Sequence, residues 1–331
     1  MSSQVGSRSA QKPSVVFLMG PTASGKTDLA MALAEHMAID VISVDSALIY
    51  RHMDIGTAKP SDAELQQVPH ALVNICDPAE AYSVADFCRD AQCEIERSIG
   101  VGRTPVLVGG TMMYFNALLN GLADMPATDE PTRVQIEAEA EQQGWPAMHQ
   151  QLTMIDPVYA ASIHPNHSQR IGRALAVYRM SGKTMSHYRH QQTEDSWLTN
   201  HHRVHQFALV PQDRTYLHQR IEKRFHAMLA AGFIDEVERL YRRGDLHLDM
   251  PSMRAVGYRQ AWQYLSGECG YEQMADKAIV ATRQLAKRQL TWLRGWQSLH
   301  LLEIDAINTT LAANFDKNLH KVLNFLSIRI I

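Results

Sequence analysis

The chain has 331 residues, 45% of them hydrophobic and 20% charged, the make-up of a globular protein of one or two domains rather than a disordered or fibrous one. Its 32 Lys and Arg against 35 Asp and Glu leave a net charge of -3, so overall charge points to no polyanionic partner. Cys76, Cys88, Cys93 and Cys269 include no Cys-x-x-Cys pair, which argues against a zinc ribbon or a disulfide scaffold and for reduced thiols in a cytoplasmic protein. Residues 1 to 13 are Ser-rich and lack the apolar core of a signal peptide, and no run approaches the length of a membrane span. A disordered tail is expected there.

Val15 to Met19 form an apolar run that reads as a buried strand. It empties into Gly20-Pro21-Thr22-Ala23-Ser24-Gly25-Lys26-Thr27, the glycine spacing and Lys-Thr ending of a phosphate-binding P-loop. Leu29, Leu33 and Met37 recur at four-residue spacing beyond it, so the loop opens a helix whose free N–H groups and dipole favour an anion. The glycines let the backbone curl around phosphate, Lys26 supplies a point charge to its outer oxygens, and the Thr27 hydroxyl suits Mg2+. Kinases, NTPases and other transferases share such a cradle, so it leaves the reaction open.

Val41 to Val44 read as a second strand, and Asp45 stands at its carboxyl end, the edge where ligands bind in doubly wound sheets. Asp45 either faces what sits on the phosphates or caps a following helix. Residues 51–60 are polar and punctuated by Gly and Pro, a surface loop of the functional kind. A helix is expected over 86–99 and a third strand over 104–108, ending in Gly109-Gly110-Thr111, where the glycines allow a close backbone approach. An ATPase would place an acid at that strand end to help hold Mg2+, and none is there.

Residues 127 to 203 read as a helical insertion. It opens with an acidic helix carrying Glu137, Glu139 and Glu141, after which the charge reverses. From Pro157 to Thr193 there is no Asp or Glu, while Arg170, Arg173, Arg179, Lys183 and Arg189 give +5, a segregated positive patch of the kind that meets nucleic-acid phosphates. A helix from Asp213 onward places Arg220 and Arg224 one turn apart. Arg254 to Arg259 suit a tight loop that places an Arg or Tyr against a base or backbone. Ile279 to Leu293 have helical period, with Arg283, Lys287 and Arg294 beside the apolar stripe. His187, His190, His201, His202 and His205 lack the partner spacing of a metal site. Residues 299–331 hint at a strand and an amphipathic helix.

Taken together, Gly20 to Thr27, Val44-Asp45-Ser46-Ala47-Leu48-Ile49-Tyr50-Arg51, Met53 to Pro60, Val108 to Thr111, Arg254-Ala255-Val256-Gly257-Tyr258-Arg259-Gln260 and Thr282 to Arg294 closely resemble the tRNA dimethylallyltransferase family. The matching segments run in order over nearly the whole chain. His52 departs from it, standing where the family usually carries Gly. The resemblance implies transfer of a dimethylallyl group from dimethylallyl diphosphate to N6 of the adenosine just 3′ of a tRNA anticodon. The P-loop then holds a diphosphate that leaves, with no ATP, which accounts for the missing strand-end acid. It further implies diphosphate contacts from Gly20, Pro21, Thr22, Ala23, Ser24, Gly25, Lys26, Thr27 and Arg224, with Mg2+ on Thr27. For the tRNA anticodon stem-loop it implies Asp45, Ser46, Ala47, Leu48, Thr111, Arg133, Gln169, Arg170, Ile171, Gly172 and Arg173. Arg254, Ala255, Val256, Gly257, Tyr258, Arg259, Lys287, Arg288, Gln289, Leu290, Thr291, Trp292, Leu293 and Arg294 complete the set.

The chemistry fits a carboxylate that accepts the amine proton as the carbon–nitrogen bond forms, and Asp45 is the candidate base, with the Thr111 hydroxyl positioning the amine. The expected fold is α/β: a P-loop NTPase-like parallel sheet flanked by helices over 14–126 and 204–331, carrying an all-helical insertion domain over 127–203. A monomer with no obligate protein partner is expected. A small-molecule kinase would leave the basic segments and the insertion without a task. An RNA-binding module without chemistry would leave Asp45 idle, and a free adenine nucleotide as acceptor would need no basic insertion.

Overall fold

The structure, a computed structural model, describes residues 12–123, 125–191, 196–304 and 311–326. As far as residue 11, the expected disordered tail lies outside the described residues. Pro13 already belongs to the fold, its carbonyl accepting the Arg203 N–H at 2.8 Å. The chain divides into two compact units, residues 1–117 with 198–331, and residues 118–197. The boundaries expected at 126 and 203 differ from this division because helices, not loops, carry the chain across it, namely Met112–Asn120 and Trp197–His201.

The larger unit is built on six strands: β1 Ser14–Met19, β2 Ile39–Val44, β3 His70–Ala71, β4 Thr104–Gly109, β5 Arg203–Pro211 and β6 His300–Ile304. They lie in the order β3-β2-β4-β1-β5-β6 and pair in parallel throughout. Parallel neighbours need crossover connections, which the intervening helices supply. With both faces covered, β1, β2 and β4 are buried along nearly their whole length, which is why they read as unbroken apolar runs rather than alternating ones. Met19 is level with Gly109, and Gly109 with Val44. The three strands therefore end together, and the segments that follow them, bearing the P-loop, Thr111 and Asp45, leave the sheet at one edge.

One apolar cluster fastens helices to this sheet, and a second joins helices to the segment that follows β2. Leu29 and Leu33 of the helix Lys26–His36 pack with Val16, Val41 and Phe207, each fully buried aliphatic side chain contributing about 2 kcal/mol. Phe233, Val237 and Leu240 of the helix Phe233–Tyr241 pack with Ile49, Tyr50, Met53 and Tyr258. Met37 stands just past the first of these helices in extended backbone, as its cap rather than a further turn. The helix expected over 86–99 runs from Val84 to Gly100, opened by a reciprocal cap between Ser83 and Asp86. No helix follows Asp45. Its Oδ1 accepts the Ala47 N–H at 2.8 Å, an Asx turn in which the side chain imitates a backbone turn. The end of the chain carries β6 and the helix Leu311–Phe325.

The smaller unit is helical, with Glu130–Gln143, Trp145–Ile155, Pro157–Ala160, Ser168–Ser181 and Met185–Gln191 around Ile136, Met148, Leu152, Ile171 and Leu175. Asp129 caps the first helix by accepting the Thr132 N–H at 2.9 Å, with Pro131 in the first turn, where its missing N–H costs nothing. Buried Asp156 accepts from the Tyr159 N–H and from both the N–H and the hydroxyl of Ser186, tying two helices. No helix among the described residues is long and apolar enough to cross a membrane.

Candidate active site

At the common end of β1, β2 and β4 opens a cleft of about 680 Å³, lined by Lys26, Thr27, Asp45, Thr111 and Arg224 among others. The P-loop enters it from β1. Gly25 stands at the helix N-cap with φ 91° and offers no side-chain cap, so the first-turn N–H groups are left for another partner. Ala23 sits in the left-handed region at φ 63°, which costs a non-glycine residue about 1 kcal/mol and needs support from its surroundings. Ser24 Oγ is buried without a hydrogen-bond partner, an unmet polar atom inside an anion-binding loop.

Lys26 Nζ donates to the Pro21 carbonyl at 2.7 Å, folding back on its own loop. Burial pushes its pKa down to about 7; Asp45 opposes that shift and Arg224 adds to it. Arg224 is likewise lowered by burial, with Asp45 opposing, yet a guanidinium stays charged across the physiological range. Of the two arginines one turn apart, Arg224 lines the cleft, while Arg220 turns onto Tyr216, donating to its hydroxyl at 3.0 Å.

Asp45 Oδ1 is engaged by the Ala47 N–H, with the Leu48 N–H farther off at 3.4 Å. Thr111 Oγ1 accepts the Ser46 N–H at 3.1 Å, and the Thr111 N–H donates to the Val44 carbonyl at 3.2 Å. The ends of β2 and β4 are thereby cross-tied, holding the Asp45 carboxylate and the Thr111 hydroxyl in one wall. Ser46, Ala47 and Leu48 line the same cleft.

The loop after Asp45 forms another wall and is held by Glu236, which the sequence reading passed over, and by Lys59 within the loop itself. Glu236, 2% exposed, accepts the N–H groups of Asp54, Ile55 and Gly56 at 2.9, 2.7 and 3.1 Å. It also accepts the Tyr258 hydroxyl at 2.5 Å. Lys59 Nζ donates to the Tyr50 carbonyl, Asp54 Oδ1 and Asn74 Oδ1. A Cβ on Gly56 would run into the rings of Phe233 and Tyr258. The signal for Glu236 was present: a lone carboxylate on the apolar face shared by Phe233, Val237 and Leu240 needs buried donors. Of the Arg and Tyr side chains expected to meet a base or backbone from residues 254–259, Tyr258 is fully buried with its hydroxyl committed to Glu236. Arg254 and Arg259 remain exposed, with Ala255 and Val256 half-buried and Gly257 buried between them.

The helix Tyr271–Arg294 supplies the far wall. Lys287, Arg288, Thr291, Trp292 and Arg294 are exposed, and Arg288 and Trp292 line the cleft. Gln289, Leu290 and Leu293 are buried, Leu290 against Ala23, Leu217 and Ile221. Gln289, though buried, lines the cleft, and with all three buried the expected RNA contact here is restricted to their exposed neighbours. Arg283 pairs with Glu222 at 2.7 Å.

In the smaller unit, Gln169 and Arg170 are exposed, Ile171 is a core residue, and Gly172 is half-buried. Arg173 donates to the Thr128 hydroxyl, and Arg133 pairs with Glu130 at 2.5 Å. The positive patch is smaller than its count of charges. Arg179 makes two bonds to Glu139, at 2.9 and 2.6 Å, and the Arg189 guanidinium lies 4.5 Å from the centre of the Tyr159 ring.

Residues 48–296 match the family model described as IPP transferase, and residues 13–74 match the one described as isopentenyl transferase. Among solved structures, the chain is similar to a full-length tRNA isopentenylpyrophosphate transferase of Bacillus halodurans, with 37% identity, 96% of each chain covered and a TM-score of 0.68. It is also similar to a tRNA delta(2)-isopentenylpyrophosphate transferase of Staphylococcus epidermidis, at 29% identity over 96% of this chain and 100% of that one, TM-score 0.66. A eukaryotic dimethylallyltransferase acting on tRNA aligns at 25% identity, over 96% of this chain and 81% of that one, with a TM-score of 0.78. The cradle and cleft described above thus sit in a chain that belongs to the IPP transferase family, whose members are prenyl-transferring enzymes.

Proposed function

We propose that this enzyme transfers a dimethylallyl group from dimethylallyl diphosphate to N6 of the adenosine 3′-adjacent to the anticodon of tRNA, releasing diphosphate. The observation that carries the reading is the meeting in one cleft of an anion cradle, Lys26 and Arg224 with a carboxylate, Asp45. The names of the similar structures supply the acceptor class.

In this reading the bond between the allylic carbon and the diphosphate oxygen breaks, and its electron pair leaves with the diphosphate. Charge builds on that oxygen, toward which the helix N-terminus, Lys26 and Arg224 supply positive potential. Removing one such preorganised group typically costs about 10²-fold to 10³-fold in turnover. The N6 lone pair forms the new carbon–nitrogen bond, and the proton that becomes acidic on nitrogen passes to Asp45. A free carboxylate with an ordinary pKa cannot deprotonate the amine beforehand, so the transfer accompanies bond formation. The Thr111 hydroxyl, held one strand over, orients the amine. Adenine must leave its stack to reach the cleft, at about a few kcal/mol, and exposed Trp292 and Arg288 offer a surface on which a base can rest.

Mg2+ fits the donor set. The Thr27 hydroxyl is a hard oxygen ligand in the cleft. Among the described residues no group of three His, Cys, Asp or Glu side chains gathers around a metal position, so a cation here would take its other ligands from diphosphate and water, as Mg2+ commonly does. When bound, it neutralises charge on the leaving diphosphate.

The reading is tested by diphosphate release. Release from dimethylallyl diphosphate should require an anticodon stem-loop with adenosine 3′ of the anticodon, and should stop when guanosine replaces it. Equal release with both RNAs, or release without RNA, contradicts it.

A further inference from the structure

Gln289 lies on the helix Tyr271–Arg294 and lines the cleft beside Arg288 and Trp292, but unlike them it is only 8% exposed, with both polar atoms of its side chain committed to neighbouring backbone. The two ends of its carboxamide have different partners. Oε1 accepts the Thr22 N–H of the P-loop at 2.9 Å, and Nε2 donates to the Gly110 carbonyl after β4 at 2.9 Å. The fit is close, since a Cβ on Gly110 would collide with Nε2.

A carboxamide both accepts and donates at the tip of a flexible stem, whereas an ionised Glu only accepts and Met has no donor, so neither could satisfy both partners. On one side the bond reaches the residue before Ala23, whose left-handed backbone needs support. On the other it reaches the residue before Thr111, whose hydroxyl accepts the Ser46 N–H beside Asp45. A single side chain thus ties the loop that would hold the leaving group to the turn that would hold the acceptor.

We propose that Gln289 is a positioning residue for the diphosphate cradle, bracing the P-loop through the Thr22 N–H, and not an RNA contact. The proposal rests on the prenyl-transfer reading above and deepens it. Two variants separate the alternatives. Gln289→Met keeps the volume and loses both bonds; Gln289→Asn keeps both polar atoms on a stem too short to reach both partners. For each variant, affinity for inorganic diphosphate with Mg2+ is measured by calorimetry without RNA, and affinity for an anticodon stem-loop is measured without diphosphate.

The expected result is diphosphate binding weakened roughly tenfold, the loss of one to two net hydrogen bonds, with RNA binding within about twofold of the parent protein. In turnover, KM for dimethylallyl diphosphate rises while KM for RNA holds. Weakened RNA binding with unchanged diphosphate affinity overturns the brace, as does no change in either. If Gln289→Met does not fold, Gln289→Asn carries the same readouts. Failure of the parent protein itself to bind diphosphate overturns the prenyl-transfer reading and the brace with it, a result distinct from a parent that binds and variants that bind equally well.

Discussion

Asp45 Oδ1 accepts the Ala47 N–H at 2.8 Å, and the described hydrogen bonds of this carboxylate all fall on that oxygen. The turn therefore fixes the orientation of the carboxylate and leaves Oδ2 to take a proton. Asn at this position keeps an oxygen for the Ala47 N–H but no basic one. Asp45→Asn is expected to lower kcat by about 10²-fold to 10⁴-fold, the usual contribution of a general base, with RNA affinity unchanged. Single-turnover rates beside binding measurements check it; near-normal turnover would remove Asp45 from proton transfer.

Lys26 gives the site a pH signature. Its pKa is lowered to about 7 chiefly by burial, so above neutrality much of it is neutral in the free enzyme. A bound diphosphate raises that pKa, because an anion favours the charged form. The complex then holds more protons than the free protein, and affinity is greatest below pH 7 and falls as pH rises past it, by up to about tenfold per unit. Calorimetry with a dimethylallyl diphosphate analogue at pH 8, in buffers of different ionisation enthalpy, should show up to one proton taken up per ligand. Proton release, or none exchanged, would count against a neutralised Lys26.

Glu236 holds the loop between Asp45 and Pro60 by three N–H groups and a tyrosine hydroxyl. Truncation to Ala leaves those donors buried and unmet, at about 1 to 3 kcal/mol for each that water cannot reach. Glu236→Ala is expected to destabilise by about 3 kcal/mol or more. Tyr258→Phe, which removes one donor and leaves the other three bonds in place, is expected to cost about 1 kcal/mol. Urea unfolding of the two variants checks the order; equal losses would mean the three N–H bonds carry little.

The sheet and the P-loop were legible because their signals are local: apolar runs, glycine spacing and a following helical period. The short strand β3, two residues long, carries no such signal. The helix expected as one alternative after Asp45 gave way to an Asx turn, since Asp serves a turn as readily as a cap. Burial within the helix Tyr271–Arg294 was legible in part: helical period puts Ile279, Ala286, Leu290 and Leu293 on one packing stripe, and all four are buried. Gln289, a polar residue in the basic run between Arg288 and Arg294, gives no such signal. Charge pairing was hidden because Glu139 and Arg179 are 40 positions apart in the chain. His52, the one departure noted from the family pattern, has φ 65°, a conformation that glycine adopts without strain.

The pairing in the smaller unit makes its arginines unequal. Arg170 is exposed and outside any salt bridge among the described residues, whereas Arg179 is held by Glu139 at 2.6 Å. Arg170→Ala is expected to weaken stem-loop binding and reduce the log–log salt slope by about 0.7, one phosphate contact fewer on a single strand. Arg179→Ala is expected mainly to lower stability, by about 1 kcal/mol. Salt titrations of RNA binding together with thermal melts check both; the reverse pattern would place the RNA on Arg179.

The most direct test of the account is the mass of the nucleosides released from an unmodified anticodon stem-loop after incubation with the protein, Mg2+ and dimethylallyl diphosphate. Gain of one C5H8 unit, confined to the adenosine 3′ of the anticodon, is the predicted result. An unaltered RNA, with ATP hydrolysed or its phosphate transferred in a parallel reaction, would contradict it and point to phosphoryl transfer at the same cradle.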